Sequence, residues 1–335
     1  MNLRKLSRIL LVCIAASFAA ATCSADVRLP HIFGDHMVVQ QNQPIPVWGW
    51  ADAGEEVTVR LSNGDAASTK AGADGKWTVK LPAQQAGGPL VLTVSGKNSV
   101  KLSDVLVGEV WLCSGQSNME WTVASSNDFE KEQTAANYPK IRHIKIPKVP
   151  QGFPQDDVDA AWTVCSPETV GSYTAAGYFF GRTLHKELDV PVGLVNSSWG
   201  GTRIEPWTPP SGFVGIPELA DILKQVELTN PANGAYQAKL AAFLDALEAW
   251  LKDAKTAYKQ ETPLNPPPAY PAEIEPLASQ GSPTTLYNGM IHPLVPFAIR
   301  GAIWYQGESN HGEGMLYYHK MRALVGGWRE VWNQG

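Results

Sequence analysis

Residues 105–120 read VLVGEVWLCSGQSNME. Residues 105–113 are almost continuously apolar, without the alternation of a half-exposed strand. That pattern belongs to a strand covered on both faces, as at the centre of a parallel sheet. The polar turn that follows carries Ser117 out of the strand and into a short helix. Two later stretches repeat the arrangement. A strand at 192–196 runs into Asn196-Ser197-Ser198-Trp199-Gly200-Gly201-Thr202, and a strand at 301–305 runs into Trp304-Tyr305-Gln306-Gly307-Glu308-Ser309-Asn310. Helices are expected at 173–188 and 315–332. Strands alternating with helices predict a doubly wound α/β domain over residues 104–335. Such domains keep their sites at the carboxyl ends of strands, where all three polar turns fall.

Residues 26–103 have a different pattern. Short runs rich in Val, Trp, Thr and Leu at 44–50, 56–61, 76–81 and 90–94 read as strands. Val57, Val59 and Leu61 alternate with polar neighbours, the period of a half-buried strand. Asn63-Gly64-Asp65, Ala73-Asp74-Gly75 and Gly87-Gly88-Pro89 supply turns. A small all-β sandwich is expected, as a structural appendage or a carbohydrate-binding unit. Within the second region an insertion spans about 211–285. Leu240, Phe243, Leu244, Leu247 and Leu251 mark an amphipathic helix. Pro263, Pro266, Pro267, Pro268, Pro271 and Pro276 then impose a stiff loop. The insertion is read as framing, without a catalytic role.

The 335 residues suffice for a sizeable core and two domains, and 44% hydrophobic with 18% charged residues excludes disorder. Twelve Trp belong mostly to the core, although a flat indole also suits a sugar ring. Residues 1–25 read as a signal peptide. Arg4, Lys5 and Arg8 precede an apolar run at 9–21, then Cys23-Ser24-Ala25 as a cleavage site; a retained anchor or a lipid-bearing Cys23 fits less well. An exported protein, periplasmic or secreted and without a stable membrane anchor, is therefore expected. Loss of the three basic residues takes the net charge from −5 to −8. That balance excludes a nucleic-acid or anionic-membrane footprint. Cys113 and Cys165 remain, and a disulfide between them is left open. No spacing suggests a metal.

Each turn has a chemical and a plain reading. Ser117 is placed either as a nucleophile on a tight turn or as a helix cap, and Met119 departs from the G-x-S-x-G pattern. Gly200 and Gly201 let backbone N–H groups approach a ligand, or simply make a turn. Gln306 carries an amide able to donate to an oxyanion, and Glu308 is placed to orient it or a substrate hydroxyl. Arg203, Glu205 and Trp207, with Gln116 and Asn118 of the first motif, are candidates for lining a sugar pocket. A serine, a glycine turn and an amide at three strand ends are the parts that stabilise a tetrahedral ester-hydrolysis intermediate.

Together Ser114-Gly115-Gln116-Ser117-Asn118-Met119, Ser198-Trp199-Gly200-Gly201-Thr202 and the Gln306 motif resemble the sialate O-acetylesterase family, of the SGNH-type hydrolases and related to acetylxylan esterases. Pro44-Ile45-Pro46-Val47-Trp48-Gly49 and Tyr287-Asn288-Gly289-Met290-Ile291-His292-Pro293-Leu294 extend the likeness over the mature chain. The resemblance implies a flavodoxin-like α/β/α domain with an attached β-sandwich. It implies Ser117 as nucleophile, and an oxyanion hole from the Ser117 N–H, a Gly200 or Gly201 N–H and the Gln306 side chain. An O-acetylated carbohydrate is the implied substrate, with no cofactor.

A serine needs a base. The family takes it from an Asp-x-x-His motif, which is absent after Gln306. His311 lies in the third turn, His319 and His185 in helical stretches, His292 before Pro293, and His143 without a nearby acid. The catalytic domain is expected to be C-terminally incomplete. The alternative is a non-catalytic carbohydrate-binding protein on a degenerate hydrolase domain.

Overall fold

The apolar run is the middle of one 17-residue strand, β7 (Ser99–Gly115), on which the rest of the fold is organised. The computed structural model describes residues 26–333; the expected signal peptide lies outside the described residues. The pattern change at residue 104 falls inside β7, so no linker separates the two regions.

The first half of β7 belongs to an antiparallel sheet. It pairs with β6 (Gly87–Ser95), followed by β3 (Glu56–Leu61) and β4 (Ala66–Lys70). A second sheet pairs β2 (Ile45–Trp50) with β5 (Lys76–Leu81). Val57, Val59 and Leu61 from the first and Val47, Trp77, Val79 and Leu81 from the second are buried in one apolar core. The alternation that predicts β3 is the alternation of its burial, and β5 alternates in the same way. Two strands of this region escape the sequence pattern: β4, whose AASTK carries no apolar face, and the short β1 (Val38–Gln40), which runs parallel to β7. The glycines at 87 and 88 are not the expected turn. They open β6, where register shifts on either side of Leu90 absorb them as a bulge.

The second half of β7 is the centre of a parallel sheet. Residues 111–115 pair with β11 (Gly301–Tyr305) on one side, and residues 109–115 with β10 (Val192–Ser198) on the other. Next to β10 come β8 (Tyr138–Lys145), parallel, and β9 (Trp162–Cys165), antiparallel. Every residue of β10 is buried, as in a strand covered on both faces. A four-residue helix, α1 (Ser117–Glu120), follows β7, and α2 (Phe129–Ala135) leads to β8. On β10 and β8 packs α3 (Ala175–Leu188), capped by the Thr174 hydroxyl, which accepts the Gly177 N–H at 3.4 Å. The fold is thus mixed α/β around one large mixed sheet.

The insertion contains α4 (Ala220–Leu228) and α5 (Gly234–Gln260), a 27-residue helix with no buried residue. The Pro-rich segment straps one face of α5: Phe243 meets the Tyr270 ring at 5.2 Å and the Trp250 indole donates to the Asn265 carbonyl. The last helix, α6 (Met315–Val331), buries Ala323, Leu324 and Trp328. Cys113 and Cys165 are buried free thiols. Burial pushes Cys165 up to about 11 and Cys113 higher still. No helix among the described residues is long and apolar enough to cross a membrane.

Candidate active site

Register brings the three polar turns together. Gly115 pairs with Ser198 on one side and Tyr305 on the other, so the strands β11, β7 and β10 release their loops at one level. Gly115 itself must be glycine. Its φ is +138°, and a Cβ there would overlap the Tyr305 carbonyl oxygen. The chain then turns sharply, with the Gln116 N–H donating to that same carbonyl at 3.0 Å. Ser114 and Gln116 are buried, whereas Ser117 stands exposed between the loops.

The turns are stitched to one another by hydrogen bonds. The Trp199 N–H donates to the Gly115 carbonyl at 3.0 Å, and the Gly200 N–H to Glu120 Oε2 at 2.7 Å. At Gly200 a Cβ would stand 3.4 Å from that of Ser117. Gln116 Oε1 accepts the N–H groups of Gly307 and Ser309, and Asn118 Nδ2 donates to Glu308 at 2.5 Å. Gln306 Nε2 donates to the Thr202 carbonyl at 3.2 Å and Asn310 Oδ1 at 2.7 Å, while its Oε1 accepts the Tyr317 hydroxyl. The four candidate oxyanion donors therefore divide. Gly200 and Gln306 already serve protein acceptors; the N–H groups of Ser117 and Gly201 have no acceptor among the described residues.

A family profile described as carbohydrate esterase, sialic acid-specific acetylesterase, covers residues 107–251, which hold two of the three turns. Those residues are similar to the sialic acid-specific acetylesterase family. It is 31% identical to the sialate O-acetylesterase of Rattus norvegicus over 326 residues, 90% of this chain and 56% of that one. The sialate O-acetylesterase of Homo sapiens is 29% identical over 328 residues, 91% of this chain and 53% of that one. A solved structure, a carbohydrate acetylesterase from Xanthomonas citri, superposes with a TM-score of 0.69 at 34% identity, covering 92% of this chain and 58% of the other. The chain spans about half the length of the curated relatives it matches.

Beneath the three turns lies a polar network that the sequence did not disclose. Lys320 of α6, 3% exposed, donates to Glu205 Oε1 at 2.5 Å and to both oxygens of Glu313. Asn310 Nδ2 donates to Glu205 and Glu313, and its Oδ1 holds Gln306 and the Ile204 N–H. Arg203 pairs with the same two carboxylates. Burial works to raise the pKa of Glu205, but hydrogen bonds from Lys320, its own backbone and Asn310 outweigh it and hold the carboxyl below the usual range. Glu120 behaves alike: burial opposes ionisation, and Lys148 with the Gly200 N–H prevails. A lysine on an amphipathic helix reads as a solvent residue, which is why Lys320 was missed. Asn310 and Glu120 lay inside the quoted motifs, where a buried-acceptor role leaves no signature.

Trp207 corrects an expectation. It has no exposed surface, its indole donates to the Thr202 hydroxyl at 3.0 Å, and its ring packs edge-on to Trp304. A ring without accessible surface cannot touch a sugar; it supports the 200–202 turn from below. Glu205 is likewise buried and its carboxylate is engaged by Lys320, Arg203 and Asn310, whereas Arg203 remains half-exposed. None of the five histidines considered as a base hydrogen-bonds to Ser117. His311 Nδ1 donates to the Glu308 carbonyl, His292 to Gln155 and His185 to Val190; His319 lies 3.4 Å from Glu218. His143 is buried and stacked on Tyr173, with ring centroids 4.3 Å apart. Among the described residues no group of three His, Cys, Asp or Glu is placed to hold a metal.

Proposed function

We propose that the protein is a carbohydrate O-acetylesterase that cleaves acetyl esters from sugars, with O-acetylated sialic acid as the first substrate and acetylated xylan as the nearest alternative. The observation that supports this reading is an exposed Ser117 packed against the Gly200 turn, with the N–H groups of Ser117 and Gly201 unengaged, on a chain whose relatives are sialate O-acetylesterases. In the proposed chemistry Ser117 Oγ attacks the acetyl carbonyl and loses its proton to a base. The resulting oxyanion is taken by the N–H groups of Ser117 and Gly201. Gly200 and Gln306 join when their present acceptors give way. Expulsion of the sugar hydroxyl leaves an acetyl-enzyme, which water hydrolyses. Gln116, buried beneath the turns, is assigned to holding the loops alone, and Asn118 and Glu308 to the edge of the sugar; Arg203, the exposed cation at the rim, is assigned to the substrate.

Acetate release from O-acetylated sialic acid tests the reading. Ser117→Ala is expected to lower turnover by a factor on the order of 10³ or more, with fold retained by circular dichroism. An unchanged rate rejects Ser117. Release from acetylated xylan alone moves the substrate to the alternative. Export is proposed on residues 1–25, and N-terminal sequencing of the mature protein is expected to begin at Asp26. A mature protein starting at Met1 contradicts it.

A further inference from the structure

Trp48 and Trp50 are two residues apart on β2 and therefore share one face. Their cross-strand partners on β5 are Thr78 and Lys76, both exposed. On β5 this outer face has the polar character of a solvated strand, with Lys76, Thr78 and Lys80. On β2 it carries two half-buried indoles, about 7 Å apart along the strand. A cavity of about 560 Å³ opens against them, lined by Trp48, Trp50, Lys70, Asp74, Thr78 and Asp156 among others. The rings are braced from the preceding segment. The Arg28 guanidinium lies 4.2 Å from the Trp50 ring centre, and Phe33 packs edge-on to Trp48 at 4.7 Å. Little side-chain freedom is left to lose on binding.

The rim sets the ligand class. Lys76 Nζ pairs with Asp156 at 2.7 Å, and Asp74 Oδ1 accepts the Lys76 backbone N–H at 3.1 Å. Lys70 has no ion pair among the described residues. Among the residues that line the cavity two lysines and two aspartates cancel, and Arg28, engaged on the Trp50 ring, is not part of that lining, so an anion gains no net attraction from it. What remains is a pair of flat apolar faces flanked by donors and acceptors of both kinds. A neutral pyranose has the matching surfaces: an apolar C–H face and an edge of hydroxyls that both donate and accept.

We propose that this face is a glycan-binding subsite taking the neutral pyranose rings of an oligosaccharide chain. It goes beyond the esterase reading, because it requires no chemistry at Ser117 and would tether a polymer while acetyl groups are removed elsewhere on it.

Calorimetric titration of the whole protein with xylohexaose and with lacto-N-neotetraose, both neutral and unacetylated, tests the subsite. At least one is expected to bind and to change the tryptophan fluorescence. The double variant Trp48→Ala/Trp50→Ala is expected to weaken binding by about ten-fold or more. Because Trp48 also packs against the core, Thr78→Arg serves as a second variant; it fills the cavity from an exposed position and leaves the strand pairing alone. Thr78→Arg is expected to lose binding to the same extent, with an unchanged circular dichroism spectrum and unchanged hydrolysis of p-nitrophenyl acetate. No binding of either glycan, or binding that survives Thr78→Arg, overturns the proposal. Should Ser117→Ala leave hydrolysis intact, the esterase reading fails while the loss of glycan binding at Thr78 still stands.

Discussion

Lys320 shows how much of the site depends on one side chain that touches no substrate. Its ammonium group is nearly dry and sits between Glu205 and Glu313, while Asn310 relays the same cluster to Gln306. Replacing a buried ion-pair partner by an apolar residue leaves the remaining charges desolvated and mutually repelling, at a cost of about 3–5 kcal/mol. Lys320→Met is expected to lose stability in that range, read as a shift of the urea midpoint. Arg203 meets the same carboxylates, but its side chain is 46% exposed. Arg203→Gln is therefore expected to cost about 1 kcal/mol or less. Comparable losses from the two variants would show that the network is as wet as the surface, and the argument from burial would collapse.

At the scale of elements, legibility followed burial. Continuous apolar runs announced β7 and β10, because a strand covered on both faces has no polar side to confuse its period; β11 was announced by the same kind of run although its residues are only partly covered. Strict alternation announced β3 for the complementary reason. The strand β4 escaped because its alternate side chains are small or polar, so no contrast exists between its faces. Pattern found α5 as an amphipathic helix but could not tell that its apolar stripe meets a proline strap, since periodicity reports a face and not its partner. The site shows the same division. Ser117, the glycine turn and Gln306 were legible because each sits in a motif at a strand end. Their mutual register, with Gly115 facing both Ser198 and Tyr305, depends on contacts between residues far apart in sequence. Trp207 was misassigned for a related reason: position beside a motif says nothing about which way a large ring turns.

The whole molecule places its buried titratable groups so that stability should be greatest in a window around neutrality. On the acid side stands His143, pushed down to about 3, first by burial and then by Lys145. Between its ordinary value of about 6.5 and about 3 the unfolded chain binds a proton that the folded chain refuses, so stability falls as pH falls. Glu205, Glu120 and Asp104, all held below the usual carboxylate range, add to this loss below about 4.5. On the alkaline side burial pushes Cys165 up to about 11 and Tyr178 and Tyr287 up to about 12. Above their ordinary values of about 9 and 10 the unfolded chain sheds protons that the folded chain keeps, so stability falls again as pH rises. The urea midpoint is accordingly expected to be flat between about pH 6.5 and 9 and to drop on both sides. The upper part of the acid limb, from about 6.5 to 4.5, precedes carboxylate protonation and belongs to His143. His143→Phe keeps an aromatic ring against Tyr173 and removes the titration, so it should flatten that part of the limb alone. A wild-type midpoint that holds or rises between pH 6.5 and 4.5, or a limb unaltered in His143→Phe, would mean that this buried imidazole accepts its proton without opening the core.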